Sequence, residues 1–222
     1  MSKYSCISLM VLLLHITLPF PIAHPTQVET ILNKMEASYA AVKDYQSTVE
    51  VTSSSQDGSL TTEKFLYTFK KPKQIRIDFE VPYPGMVVIY SDKDGKVRVR
   101  PWGAKGIFEL HMDPDSFFLR RSSGQRVDQT DLGLLIVKIR ESVGEHRKGP
   151  VELSESESAV EISLAADNHF RGGVTTRYRF SIDKKIWLPV QIQEFSLAGS
   201  FARKICFLDL RTNIAVPDST FE

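Results

Sequence analysis

Between residues 74 and 80 the chain alternates without a fault: Ile75, Ile77 and Phe79 occupy one set of positions, and Gln74, Arg76, Asp78 and Glu80 the other. A period of two returns side chains to the same face of an extended strand, so this segment has one dry and one wet face. The pattern recurs on both sides. Upstream, residues 45–51 and 60–69 flank Asp57-Gly58, a hairpin signal, and Phe65, Tyr67 and Phe69 share a face. Downstream, residues 86–90 are apolar throughout, Asp94-Gly95 turns the chain, and residues 97–100 alternate again. Strand patterns return at 151–154, 160–164, 176–182, 188–195 and 203–210. Two antiparallel meanders of about ten strands in total follow from this spacing.

Two stretches keep a helical period instead. Val28, Ile31, Leu32, Met35 and Tyr39 recur behind a Thr26-Gln-Val-Glu29 capping box, and Leu132, Leu135, Ile136 and Ile139 form a stripe behind Asp131, a natural N-cap. A sheet this wide with one apolar face must curl or close. The expected fold is therefore mainly β (α+β): a single curved, incompletely closed antiparallel β-barrel of about ten strands, with helices covering the concave apolar face.

The chain of 222 residues is 42% hydrophobic and 25% charged, a globular composition that excludes disorder, collagen and coiled coil. Lys plus Arg number 28 against 27 for Asp plus Glu, and a net charge of +1 gives no field to attract nucleic acid. The basic residues Lys70, Lys71, Lys73, Arg76, Arg98 and Arg100 are expected on solvated strand faces. Lys3, the apolar run 7–18 and the Pro19, Pro21, Ala23 sequence have the order of a secretory signal, with cleavage after Ala23. Residues 1–23 are thus expected to be a signal peptide and 24–222 one domain. Cleavage removes Cys6 and leaves Cys206 without a partner, so no internal disulfide is expected, and Cys206 is read as a small buried hydrophobe.

No enzyme is indicated. His24, His111, His146 and His169 stand in no metal-ligand spacing, and no G-x-S-x-G elbow, Walker loop or dinucleotide fingerprint occurs. No metal or cofactor is expected. The dry-face residues Tyr45, Val49, Phe65, Tyr67, Phe69, Ile75, Ile77, Phe79, Val88, Tyr90, Tyr178 and Phe180 suit either a packed core or the lining of an apolar cavity.

The segment Lys70-Lys-Pro-Lys-Gln-Ile-Arg-Ile-Asp-Phe-Glu-Val-Pro82, with Val88-Ile-Tyr-Ser-Asp-Lys-Asp-Gly-Lys96, resembles the strand pair of the outer-membrane lipoprotein carriers and lipoprotein-sorting proteins of the LolA-like superfamily. Tyr178-Arg-Phe-Ser-Ile-Asp-Lys-Lys-Ile-Trp-Leu-Pro-Val-Gln-Ile-Gln-Glu-Phe195 and the ending from Asp209 to Phe221 are similar to later segments of that superfamily. The order helix, meander, helix, meander resembles it over nearly the whole of residues 24–222. The resemblance implies a periplasmic carrier, a monomer, that receives acyl chains of lipoproteins or lipids and takes them towards the outer membrane, between an inner-membrane donor and an outer-membrane acceptor. The alternative is a periplasmic sensor or interaction domain of the same fold that binds lipoprotein or protein partners without transport. In the carriers a basic residue before Pro, usually Arg, holds the lid closed. Lys71 stands there, without the planar fork of Arg. Ile75 and Ile77 match cavity-lining positions, and Trp102, Leu132, Leu135, Ile136 and Ile139 are the lid candidates.

Overall fold

Among the described residues, eleven strands pair into one antiparallel sheet. The computed structural model describes residues 27–55, 57–101, 108–116, 126–169 and 171–222. Residues 1–23, expected to be a signal peptide, and His24, Thr26 of the expected capping box and Trp102 lie outside the described residues. Helix α1 (Gln27–Ala40) precedes β1 (Asp44–Ser54), β2 (Leu60–Lys70), β3 (Gln74–Val81), β4 (Val87–Ser91), β5 (Lys96–Arg100) and β6 (Leu110–Met112). A 3₁₀ turn (Val127–Gln129) leads into α2 (Leu132–Val143). Then come β7 (Glu152–Glu155), β8 (Ala159–Asp167), β9 (Thr175–Asp183), β10 (Leu188–Phe195) and β11 (Phe201–Thr212), and a last 3₁₀ turn (Asp218–Phe221). The strand beyond the expected ten is β6, three residues too short to show alternation.

The sheet order is β6-β5-β4-β3-β2-β1-β11-β10-β9-β8-β7. Sequence neighbours pair throughout except at the centre, where β1 meets β11 with Val49 opposite Phe207 and Val51 opposite Ile205. That pairing joins the first meander to the second. The edges β6 and β7 do not pair with each other, so the curved sheet stays an incomplete barrel. At the β1–β11 seam the register slips between Gln46 and Thr48. There β11 carries an extra residue, Asp209 takes a left-handed φ of 51°, and Ser47 Oγ donates to the Leu208 carbonyl at 2.7 Å. Such a bulge bends its strand and raises the local twist. A second slip lies just after Pro189 on β10, a residue with no N–H to give the ladder.

Both helices pack on the same face. Ile31, Leu32 and Met35 of α1 and Leu132, Ile136 and Ile139 of α2 are buried in one cluster with Tyr45, Phe69, Ile75, Ile162, Ile182 and Leu188. As its sequence predicts, Asp131 caps α2, its carboxylate accepting from the Leu134 N–H at 3.0 Å. The Leu132 N–H donates to the buried Tyr45 Oη at 3.0 Å, so a strand residue satisfies a second orphan donor of the helix end. The helices approach closely at Gly133, where a Cβ would stand 2.3 Å from Tyr39 Cε1. Arg140 laces them on the outside, donating to Glu36, to Glu29 at 2.9 Å and to Asn33 at 2.8 Å.

The opposite face corrects two expectations. Val87 and Ile89 of β4, the strand that is apolar throughout, are buried there under Val216 and Phe221 of the C-terminal segment. The basic residues expected to be solvated on this face instead hold that segment down. Lys70 Nζ donates to the Val216 carbonyl at 2.7 Å and pairs with Asp218 at 2.6 Å, Arg76 donates to the Thr220 carbonyl at 3.0 Å, and Arg98 donates to the Phe221 carbonyl. Cys206, expected to be buried, is only half-buried, with Sγ 3.5 Å from Gln191 Oε1. Partial burial still pushes its thiol pKa above the ordinary value.

Candidate functional site

Dry-face residues meet one of two fates, decided by their place along each strand. Under the helices, Tyr45, Phe69, Ile75, Ile182 and Leu188 are at most 1% exposed and fill the space completely. Further along the same strands Val49, Tyr67, Ile77, Phe180 and Ile192 face a cavity of about 100 Å³. Phe65, Tyr178, Val51, Ile205 and Phe207 complete its apolar wall, and Leu134 and Leu135 on the flank of α2 roof it.

The lining has a polar fringe. Gln129, Thr130 and Asp131 border it where the chain enters α2, and Lys138 and His169 border it further along the helix. Glu194 and Arg203 form an ion pair at 2.6 Å within the lining, each side chain only 13% exposed. Tyr67 Oη and Thr130 Oγ1 are 3.0 Å apart, tying the wall to the entry of α2. Burial pushes the hydroxyl pKa values of Tyr45 and Tyr67 above their ordinary value and that of Tyr178 up to about 12. Burial, then Lys138, lowers the pKa of His169, and the hydrogen bond from Lys138 holds the Glu141 carboxyl below its ordinary value. At neutral pH the tyrosines of the wall are therefore uncharged, and the cavity offers a neutral surface apart from its fringe.

Of the residues singled out from sequence, Val49, Phe65, Tyr67, Ile77, Tyr178, Phe180 and Leu135 line the cavity. Phe69 and Ile75 do not: they sit under the helices in the filled core. Val88 and Tyr90 are buried in the same core, and Phe79 packs outside the cavity between Phe65, tilted at 5.4 Å, and Tyr83, edge-on at 6.3 Å between centroids. Leu132, Ile136 and Ile139 point from α2 into the filled core rather than into the cavity. Lys71 reaches α1: its Nζ donates to the Tyr39 carbonyl at 2.9 Å and the Ala40 carbonyl at 3.2 Å and lies 4.6 Å from the Tyr39 ring centroid. A cation there complements the negative end of the helix. The lining residues that sequence reasoning passed over are Val51, Leu134, Ile192, Ile205 and Phe207. Val51 shares the parity of Val49, and Arg203, Ile205 and Phe207 share a face of β11, so alternation alone could have placed them. Also passed over is the meeting of Glu141, His146 and His169, three residues whose spacing in sequence carries no motif.

No family model matches this sequence, and no curated protein matches it. Among solved structures, the chain is similar to MucB of the Pseudomonas aeruginosa MucA/MucB complex, at 13% identity and a TM-score of 0.47, over 87% of this chain and 59% of that one. It is similar to a DUF1329 family protein from Desulfovibrio piger, at 13% identity and a TM-score of 0.42, over 88% of this chain and 97% of that one. It is similar, too, to a LolA superfamily protein from Nitrosomonas europaea, at 9% identity and a TM-score of 0.40, over 87% of this chain and 96% of that one.

Proposed function

We propose that this protein carries acyl chains of lipoproteins or lipids through the periplasm, after loss of residues 1–23, and that it takes them from an inner-membrane donor to an outer-membrane acceptor. The observation that carries the reading is the apolar cavity between α2 and the open end of the sheet. A chain exposed to water loses about 0.8 kcal/mol per methylene relative to an apolar site, so crossing an aqueous space calls for a portable lining. At about 100 Å³ the cavity is smaller than the roughly 300–1,000 Å³ of pockets that hold organic ligands, so in this reading the structure is the closed form. Loading requires α2 to move away from the sheet, against which it packs at β8 and β10. The contacts that resist the movement are the buried Leu132, Ile136 and Ile139, the bonds of the Leu132 N–H to Tyr45 and of Thr130 to Tyr67, and at the rim Arg140 between α1 and α2. In this reading Lys71, a point charge on two carbonyls in place of a planar fork, fixes the end of α1 and restrains α2 only through Arg140, which joins the two helices.

The test is native mass spectrometry of protein purified from a periplasmic extract, followed by lipid extraction and titration with a fluorescent fatty acid. A bound acyl species displaced by the probe is expected. Ile77→Asp, which sets an unpaired carboxylate in the apolar wall, should stay folded and bind the probe at least tenfold more weakly. Ile75→Asp, in the filled core, should not fold. A clean apo mass with no uptake of any acyl probe would overturn the carrier and favour an interaction domain that binds partner proteins by its surface.

A further inference from the structure

At the C-terminal end of α2 three segments distant in sequence converge. Glu141 comes from the helix, His146 from the turn that follows it, and His169 from the turn between β8 and β9. One ligand atom from each lies within 4.8 Å of the others. We propose that Glu141, His146 and His169 form a binding site for a divalent transition-metal ion, zinc being the ion their donor set suits.

Two imidazole nitrogens and one carboxylate oxygen are the protein ligands of three-ligand zinc sites, which leave a fourth position to water or another ligand. Imidazole donors disfavour calcium and magnesium, which take oxygen. Zinc bonds of roughly 2.0–2.2 Å place tetrahedral ligand atoms about 3.4 Å apart, so the donors must draw together by rotation of their side chains. His169 Nδ1 is already 3.6 Å from Glu141 Oε2.

The surroundings are those of a supported site. The other ring nitrogen of His169, Nε2, is 2.8 Å from Oγ of Ser142, a fully buried residue, which fixes the ring and turns Nδ1 towards Glu141. His146 Nδ1 lies 3.8 Å from Asp167 and Nε2 3.6 Å from Glu145, so a carboxylate stands beside either nitrogen that the ion leaves free. The two imidazole rings are perpendicular with centroids 5.5 Å apart. Two lysines face the group. Lys148 is engaged by Asp167 at 2.9 Å, and Lys138 Nζ is 2.8 Å from Glu141 Oε2, where a bound ion would displace it. Bound zinc would join α2 to the β8–β9 turn, next to the two lining residues Lys138 and His169. The site does not depend on what the cavity holds.

The test uses protein without a polyhistidine tag, freed of metal with a chelator and titrated with zinc against a chromogenic chelator at pH 7.5. One equivalent should bind at micromolar or lower concentration, and cobalt in its place should give the d–d absorption of a four- or five-coordinate site. His146→Ala and Glu141→Gln, both at partly exposed positions, should each weaken zinc binding at least tenfold and leave the unfolding temperature of the metal-free protein within a few degrees. His111→Ala should change nothing. Absence of zinc binding in the micromolar range would overturn the proposal, as would full-strength binding in the His146→Ala, Glu141→Gln double variant.

Discussion

The two ends of the apolar face differ little in composition and entirely in packing. At one end Tyr45, Phe69, Ile75 and Leu188 lie under α1 and α2 with no room left; at the other Val49, Phe65, Ile77 and Ile192 border empty space. Aromatic and branched aliphatic residues supply both. The difference lies in what stands opposite. The inner stripe of α2, Leu132, Ile136 and Ile139, presses into the filled end, whereas only the flanking Leu134 and Leu135 reach the hollow one. An apolar face is a licence to bury, and the helix placed over it decides whether the result is core or cavity.

Truncating one ring at each end tests that contrast most directly. Phe69→Ala removes a side chain packed on all sides, including the Tyr45 ring at 5.0 Å, and should destabilise the fold by about 3–5 kcal/mol. Phe65→Ala enlarges a space that already exists, forfeits fewer contacts and should destabilise by roughly half as much. Urea unfolding of the two variants measures the difference. Equal losses would mean that the cavity end is as tightly packed as the other.

The next largest effect is alkaline. Burial raises the Tyr178 pKa from 10.0 to about 12, and those of Tyr45 and Tyr67 rise for the same reason. A phenol with a raised folded-state pKa contributes stability that is complete below its unfolded value, near 10, and is lost as the pH climbs through the folded one. For Tyr178 alone the loss approaches about 2 kcal/mol by pH 12, since each unit is worth about 1.4 kcal/mol. Stability should therefore fall steeply between pH 10 and 12, and Tyr178→Phe should flatten the slope. A bound acyl chain that fills the cavity keeps the ring dry, so its ionisation should stay near 12 in the loaded protein, readable by ultraviolet absorption.

Much of this was legible beforehand, and the part that was not has a physical cause. Strand alternation identified the dry face because its period is local, and Asp131 announced its helix because a cap is local too. Depth along the strand is not local. Phe69 and Phe65 share a face and a composition, and only the crossing point of α2 separates core from lining. The seam of β1 with β11 joins residues some 160 positions apart, such as Val49 and Phe207, so Ile205 and Phe207 entered the cavity unannounced. The carbonyls that engage Lys70, Arg76 and Arg98 belong to a tail whose path no periodicity specifies. The gathering of Glu141, His146 and His169 is a product of folding alone.

A smaller effect comes from the contact that sets the helices' separation. Gly133→Ala places a Cβ 2.3 Å from Tyr39 Cε1, and the ring is held by Asp131, with Oη 3.3 Å from Oδ1, and by Lys71. Displacing it should outweigh the better helix propensity of Ala and destabilise by about 1 kcal/mol. In a Tyr39→Ala background the clash is gone, and the same substitution should stabilise by up to about 1 kcal/mol. The reversal of sign in this double-mutant cycle would show that Gly133 serves close approach, and acyl-probe uptake should be faster in Gly133→Ala than in the parent.

Arg140 should have the smallest effect on stability and the clearest on opening. Its guanidinium joins Glu29, Asn33 and Glu36 of α1 to α2 at the surface, a third of the side chain remaining exposed, so its removal should destabilise by less than about 1 kcal/mol at low salt. Lysine cannot spread donors to three acceptors, so Arg140→Lys should lose nearly as much as Arg140→Ala. Both losses should fade in 1 M salt, where the screening length falls to about 3 Å. If α1 and α2 move as one lid, the variants should load the acyl probe no faster than the parent, because the network lies inside the lid. If α2 moves alone, as the position of the cavity beneath its flank requires, both variants should load faster in low salt and at parental rate in high salt.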